Sequence, residues 1–344
     1  MGKLEVEKVK ISFVIEPFYY KNLIFDCESS LNRDNCFYPY FRLKQEFQMH
    51  KVVLATCDIN AIEESQIIIY NDIPRILPEK NQISKSYLLL FESEVIRPNN
   101  WDLKKHKHFN KIFTWDDRYV DNKKYFKINF SHLFPTNIKK NLINKEKLCT
   151  LIAGNKKVNH PLELYSKRVE AIKWFENNHL DQFDLYGIGW DEIKVCNRYL
   201  NYILKKLHIS KIIKPNFLSY KGKINSKKEI LEKYKFAICY ENAKDIEGYI
   251  TEKIFDCFFA GCIPIYWGAN NIIDHIPKDC FIDKRDFISY EALYDFIINM
   301  NDVAYMKYLN NIETYINSKK RLEFTADYFA KTIVETILDD ITQA

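Results

Sequence analysis

Twice along this chain, short runs rich in branched and aromatic residues alternate with longer amphipathic segments. That alternation is the pattern of α/β units, in which helices cover the faces of a parallel sheet. The first series reads as strands at KISFVI (10–15), KVVLAT (51–56), QIIIY (66–70), YLLLF (87–91) and KIFTW (111–115), with a helix at YPYFRLKQEF (38–47). The second starts at KLCTLIAG (147–154) and runs through a helix at 162–178, a strand at 183–187 and a helix at 226–234. It closes with a strand at 235–240, a helix at 250–261 and a strand at 262–267, and residues 287–340 read as helices. Between the series, NFSHLFPTNIKKNLINKEK (129–147) is polar and Lys-rich, holds Pro135, and is the expected linker. The fold class expected is α/β, two Rossmann-like domains facing a cleft, with boundaries at 1–140 and 141–320 and a helical tail at 321–344.

Composition narrows the functional classes. With 47% hydrophobic residues in a chain of 344, there is ample apolar surface for two cores and no signature of disorder. A formal charge of +5 is mild and agrees with an anionic ligand, whereas nucleic-acid binding usually needs a concentrated basic face. No nucleic-acid partner is expected. The nine cysteines are odd in number, scattered, and form no C-x-x-C pair. They read as reduced core residues of a cytosolic protein. The opening MGKLEVEKVKISFVIEPFYY has too short an apolar run for a signal peptide or anchor, and lacks the Ser or Thr that a myristoylation signal carries at its sixth position. The expected setting is cytoplasmic, with at most peripheral contact at the inner face of the cytoplasmic membrane.

The segment FAICYENAKDIEGYITEKIFDCFFAGCIPIYWG (236–268) carries the most chemistry. Packing explains part of it: FAICY and CIPIYW suit central strands, Ile250, Ile254 and Phe258 recur at helical spacing, and Gly261 falls where a helix needs a left-handed terminator. Packing does not explain Glu241 and Asn242 at a strand's carboxyl end, or Thr251, Glu252 and Lys253 in the first turn of a helix. Free amides and the positive dipole end favour a phosphate there, and a lysine at that position hints at an anionic ligand. A neighbouring carboxylate accepts hydrogen bonds from a ribose diol. These groups suit a nucleoside-diphosphate site, and a merely solvated loop is the alternative.

The segment resembles the signature of the α1,3-fucosyltransferases, glycosyltransferase family 10, roughly F-x-x-x-F-E-N, a loop, Y-x-T-E-K, A-G, P and G. Phe236, Tyr240, Glu241, Asn242, Tyr249, Thr251, Glu252, Lys253, Ala260, Gly261, Pro264 and Gly268 stand at the matching places. Tyr240 replaces the usual Phe, and the loop AKDIEG (243–248) is longer than in many members. Upstream, AGNKKVNHPLELYSKRVEAIKWFENN maps onto the family's Asn and Arg as Asn155 and Arg168, and FESE resembles the element that carries the catalytic base.

The resemblance implies a GT-B fold with the acceptor in the first domain (1–140) and a GDP-sugar in the second (141–320), contacted by Asn155, Arg168, Glu241, Asn242, Tyr249, Thr251, Glu252 and Lys253. Within that set Glu252 holds the ribose, Lys253 and Arg168 hold the diphosphate, and Asn242 and Tyr249 touch the GDP-sugar. It further implies an inverting transfer of L-fucose from GDP-β-L-fucose to a Gal- or GlcNAc-type glycan, with Glu92 as general base and Glu94 as its alternate. No cofactor or metal is expected, because the chain holds no Asp-x-Asp and the cations stand in for an ion. The abundance of Lys, Asn and Ile suits an AT-rich bacterial genome, and lipopolysaccharide or capsule assembly is the expected setting. A different GDP-linked deoxysugar remains an alternative donor, since the groups gripping GDP do not read the sugar. A nucleic-acid-binding protein and an inactive glycan-binding homologue are the rival classes, and the oligomeric state is unassigned.

Overall fold

In the computed structural model, which describes residues 9–140, 142–192, 198–207 and 217–343, two six-stranded parallel sheets organise the chain. The amino-terminal residues read above for a myristoylation signal lie outside the described residues. By contacts the chain divides into one unit that ends at Leu133 and resumes at Leu322, and a second unit, Phe134–Arg321.

The first sheet contains β1 (Lys10–Val14), β2 (Val53–Thr56), β3 (Ile67–Asn71), β4 (Ser86–Leu90), β5 (Lys111–Thr114) and β6 (Tyr125–Lys127), in the order β2-β1-β3-β4-β5-β6. Helix α1 (Tyr38–Met49) covers one face, and a short α2 (Leu103–His106) precedes β5. The unbroken apolar run in β3 follows from burial on both faces. Ile67 and Ile69 join a core with Phe13, Leu43 and Phe47, whereas Ile68 and Tyr70 join a second one with Leu88, Leu90 and Phe109.

The second unit contains β7 (Lys147–Ile152), α3 (Tyr165–Asn178), β8 (Phe183–Tyr186), α4 (Arg198–Lys206), β9 (Tyr220–Gly222) and α5 (Lys227–Leu231). It continues with β10 (Tyr234–Tyr240), α6 (Glu252–Phe259), β11 (Ile263–Trp267), α7 (Ile272–His275), β12 (Ile282–Asp283), α8 (Tyr290–Ile298) and α9 (Asp302–Ile316). Its sheet order is β12-β11-β10-β7-β8-β9, all parallel. The final helix, α10 (Ala326–Gln343), returns to the first unit and packs on α1. Phe329, Ile333, Val334 and Ile337 enter the core that holds Leu43 and Phe47. The sequence reading set 321–344 apart as a tail. The amphipathic stripe of α10 is instead part of the first unit's core.

Strands β6, β9 and β12 escape a sequence reading because two or three residues are too few to show a period of two. The described cysteines are all free thiols; Cys149, Cys239, Cys257, Cys262 and Cys280 are buried, and Cys36 is exposed.

Gly261 ends α6 with φ +60°, as a left-handed terminator requires, and its missing side chain leaves room for another strand of chain. A Cβ there would lie 2.1 Å from the Lys139 carbonyl oxygen. We predict that Gly261→Ala destabilises the second unit by at least the ~1–3 kcal/mol typical of a strained backbone, read as a lower urea midpoint.

Candidate functional site

Order in the second sheet reverses between β7 and β10, which are hydrogen-bonded neighbours. At such a switch point the connections leave toward opposite faces and open a crevice beyond the carboxyl ends of the strands. A cavity of about 240 Å³ lies there, lined from β7 by Ile152, Ala153 and Gly154, and from β10 by Cys239 and Tyr240. Lys156, Arg168, Lys227 and Lys253 bring four cations to its wall, against the carboxylates of Glu252 and Asp256.

The wall is built on Glu241, whose side chain is fully buried just beyond β10. Its carboxylate accepts from the Thr251 amide at 2.8 Å and the Thr251 hydroxyl at 2.6 Å, with Lys253 Nζ at 3.3 Å. Gly268 makes this possible, since a Cβ there would lie 2.5 Å from Glu241 Cγ. Thr251 stands at the N-cap of α6, yet its hydroxyl serves Glu241 and makes no cap bond to the first turn. The first amides of α6 therefore carry no side-chain cap, next to Glu252 and Lys253 on the cavity wall.

Lys253 Nζ also donates to Thr251 Oγ1 at 2.9 Å and lies 3.4 Å from Glu252 Oε1. Burial pulls its pKa down, but Glu252 and Glu241 outweigh burial and hold it well above the ordinary lysine value, so it is a fixed cation at neutral pH. Arg168, on the first turn of α3, is 4% exposed and donates through Nη2 to the carbonyls of Tyr240 (2.6 Å) and Glu241 (2.8 Å) and to Asn242 Oδ1 (3.0 Å). Helix α3 begins at Tyr165, three residues later than the sequence suggests, because Leu162 and Leu164 pair with the loop after β10. That pairing sets Arg168 against the strand end. Asn242 Nδ2 in turn donates to the hydroxyl of the buried Tyr249 at 3.4 Å.

Arg168, Glu241, Asn242, Tyr249, Thr251, Glu252 and Lys253 thus form one connected cluster. Asn155 lies just past β7. Its side chain donates to the Gly189 carbonyl at 2.9 Å and its amide to Ile188 at 2.9 Å, joining the exit of β7 to the YGIGW turn. Gly187 in that turn permits the approach, since a Cβ would meet the Ala153 oxygen at 1.9 Å. Sequence reading missed Lys227 and Asp256. Lys227 Nζ lies 2.7 Å from Asp256 Oδ2 and 3.7 Å from Glu252 Oε1. Burial lowers its pKa, and the two carboxylates overcome this and raise it. The available signal was Glu252 and Asp256 at i and i+4, which puts both acids on one helical face.

In the first unit, Glu92 follows β4 with an exposed side chain and a backbone held by side chains. The buried Asp72 carboxylate accepts at Oδ1 from the amides of Phe91 (2.8 Å) and Glu92 (3.3 Å) and from Asn100 Nδ2 (2.8 Å). The Glu92 carbonyl accepts from Asn100 Nδ2 at 3.1 Å and the Trp101 indole at 3.0 Å, and Phe91's from the Trp115 indole at 2.7 Å. Glu94 is half-buried, within the electrostatic influence of the Arg118 guanidinium that pairs with Asp116.

The profile of glycosyltransferase family 10 (fucosyltransferase), C-terminal part, matches residues 142–334, more than half of the chain. The chain belongs to this family. Among similar proteins, the α-(1,3)-fucosyltransferase FucT of Helicobacter pylori is 33% identical over 128 residues, 35% of this chain and 26% of that protein. An α-(1,4)-fucosyltransferase of Arabidopsis thaliana is 39% identical over 77 residues, 22% of this chain and 19% of that protein. The matches therefore span only about a quarter and a fifth of those relatives. A solved α1,3-fucosyltransferase with GDP superposes with a TM-score of 0.55 at 16% identity, covering 98% of this chain and 92% of that one. At that identity the likeness speaks for the fold, which is GT-B, with two α/β units.

The cluster around Glu241 yields a stability prediction. Thr251→Val removes a hydroxyl from a fully buried carboxylate and should cost about 1–3 kcal/mol, whereas Thr251→Ser should stay near wild type; urea unfolding of both variants checks this.

Proposed function

We propose that the chain is an inverting fucosyltransferase that moves L-fucose from GDP-β-L-fucose to a hydroxyl of a Gal- or GlcNAc-type glycan. The observation that carries the reading is the cationic cavity at the β7/β10 switch point, walled by the uncapped start of α6. A diphosphate there meets Lys253 and the first-turn amides, with Lys156 and Lys227 adding positive field. Arg168 contributes charge while its Nη2 locks the strand end and orients Asn242. Glu252, held between Lys227 and Lys253, is set to accept from the ribose hydroxyls. Glu241 acts through Thr251 and Lys253 as the support of the site.

In the proposed reaction, the acceptor hydroxyl attacks the fucosyl C1, the bond to the β-phosphate breaks, and GDP leaves with the electron pair. The acceptor proton passes to Glu92. What favours Glu92 over Glu94 is its clamped backbone, since a base must be held in place to within a fraction of an ångström. An exposed carboxylate on a fixed peptide fits that need. The cations lining the donor cavity meet the charge of the leaving diphosphate, so a metal-independent reaction is proposed.

A related reading keeps the mechanism and changes the sugar. The cavity residues named here grip the nucleotide and diphosphate, so another GDP-linked deoxysugar is the alternative donor, which a screen of GDP-sugars for turnover separates. The glycan proposed is of the lipopolysaccharide or capsule type. Among the described residues no helix is long and apolar enough to cross a membrane.

Glu92→Gln should lower kcat by about 10²–10⁴-fold and leave GDP binding by calorimetry unchanged; undiminished turnover would move the base elsewhere. Lys253→Ala should weaken GDP by about tenfold or more, the loss of at least one charge-assisted contact. Turnover should persist in excess EDTA, and its abolition with recovery on adding Mg²⁺ or Mn²⁺ would overturn the metal-free reading.

A further inference from the structure

We propose that helix α4 (Arg198–Lys206), with the basic stretch that holds it, is a docking surface for an anionic phospholipid bilayer, and that Tyr202 and Leu207 enter the lipid while lysines meet the phosphates. The contact does not depend on which sugar the chain transfers, or to what. Charge singles the stretch out. Residues 193–226 hold eight Lys and Arg and no Asp or Glu, whereas the whole chain nets +5, so the rest of the molecule is acidic in balance. A block of one sign on such a chain selects an anionic partner. Lys206 on α4, and Lys221 and Lys223 beyond it, are exposed.

Apolar side chains share the stretch. Tyr199, Leu200 and Tyr202 on α4 and Leu207 just past it are 74%, 49%, 63% and 59% exposed. Single exposed apolar residues are ordinary on a protein surface, but four so close together in sequence mark a contact. Leucine gains by entering hydrocarbon, and tyrosine by sitting at the boundary with its hydroxyl in water. Lysine lies along that boundary with its ammonium at the phosphates. The three side-chain types together match the layered chemistry of a bilayer surface. Helix α4 rises only about 14 Å, less than half of a hydrocarbon core of about 30 Å, so it would lie along the surface and not across it.

Other occupants fit less well. A nucleic acid would take the lysines and stack on the tyrosines, yet it offers nothing to Leu200 and Leu207. An anionic polysaccharide likewise leaves both leucines in water. A second copy docked through the same face would bring two blocks of like charge together.

The test is co-sedimentation of the full chain with vesicles of phosphatidylcholine alone and of equal parts phosphatidylcholine and phosphatidylglycerol. The proteins are wild type, Lys206→Glu, and the double variant Tyr202→Ser with Leu207→Ser. Wild type should bind the anionic vesicles and not the neutral ones, and should bind more weakly as salt is added. Lys206→Glu should weaken binding by about tenfold, since it reverses a charge at the lipid surface. The double variant should lose about tenfold or more, the value of the apolar surface it no longer buries. Because the substituted side chains are exposed, all three proteins should share one melting temperature. Equal binding to both kinds of vesicle, or binding to neither, overturns the surface. Anionic-vesicle binding that the double variant keeps in full is adsorption by charge alone and overturns the proposal too. Tighter binding to a duplex oligonucleotide or to heparin than to the anionic vesicles overturns lipid as the partner. So does a dimer that forms without lipid and is lost in the double variant.

Discussion

A carboxylate with no solvent contact organises the second unit. Glu241 is a charge that would be severely penalised in the core if left alone, and three donors on Thr251 and Lys253 compensate it. Satisfying Glu241 fixes where α6 begins, which way Lys253 points, and how closely the β11 exit approaches at Gly268. It also diverts the Thr251 hydroxyl from capping, so the helix start keeps its amides for another acceptor. The cationic side chain and the uncapped helix start on the cavity wall follow from how one buried acid is neutralised.

The first unit repeats the device with different residues. Asp72 is 4% exposed, burial raises its pKa, and its Oδ1 gathers two backbone amides and an asparagine amide next to an exposed acid. In both units a buried carboxylate freezes the chain just past a strand, and another carboxylate, Glu252 or Glu92, is carried at the edge of the same framework. Each framework sits by the switch point of its own parallel sheet, where the topology opens a crevice without any residue being specialised for it. Fold and site are therefore linked. The strand order creates the two hollows, and the buried acids hold the chain at their rims through hydrogen bonds.

The residues of the second unit's cluster differ in how far they could be read. Glu252 and Lys253 could be placed in the first turn of a helix from spacing alone, and the structure sets both on the cavity wall. Glu241 was read as a ligand contact, and its letter gave no sign that its partners would be Thr251 and Lys253. Lys227, 29 positions before Asp256, has no local pattern at all. Asp72 and Asn100 form their clamp across strands and loops that only the folded sheet brings together.

Periodicity by itself determined that this chain makes two α/β series, where their long strands and helices fall, and that the segment 236–268 runs from a strand end into a helix start. Those features are local, set by side-chain spacing of two or 3.6 residues and by the free amides of a helix terminus. Tertiary structure decided that α10 belongs to the first core, that three very short strands complete the sheets, and which acids are buried and which reach solvent. Burial and long-range hydrogen bonds depend on what stands opposite each residue after folding, and that is a property of the assembled sheets.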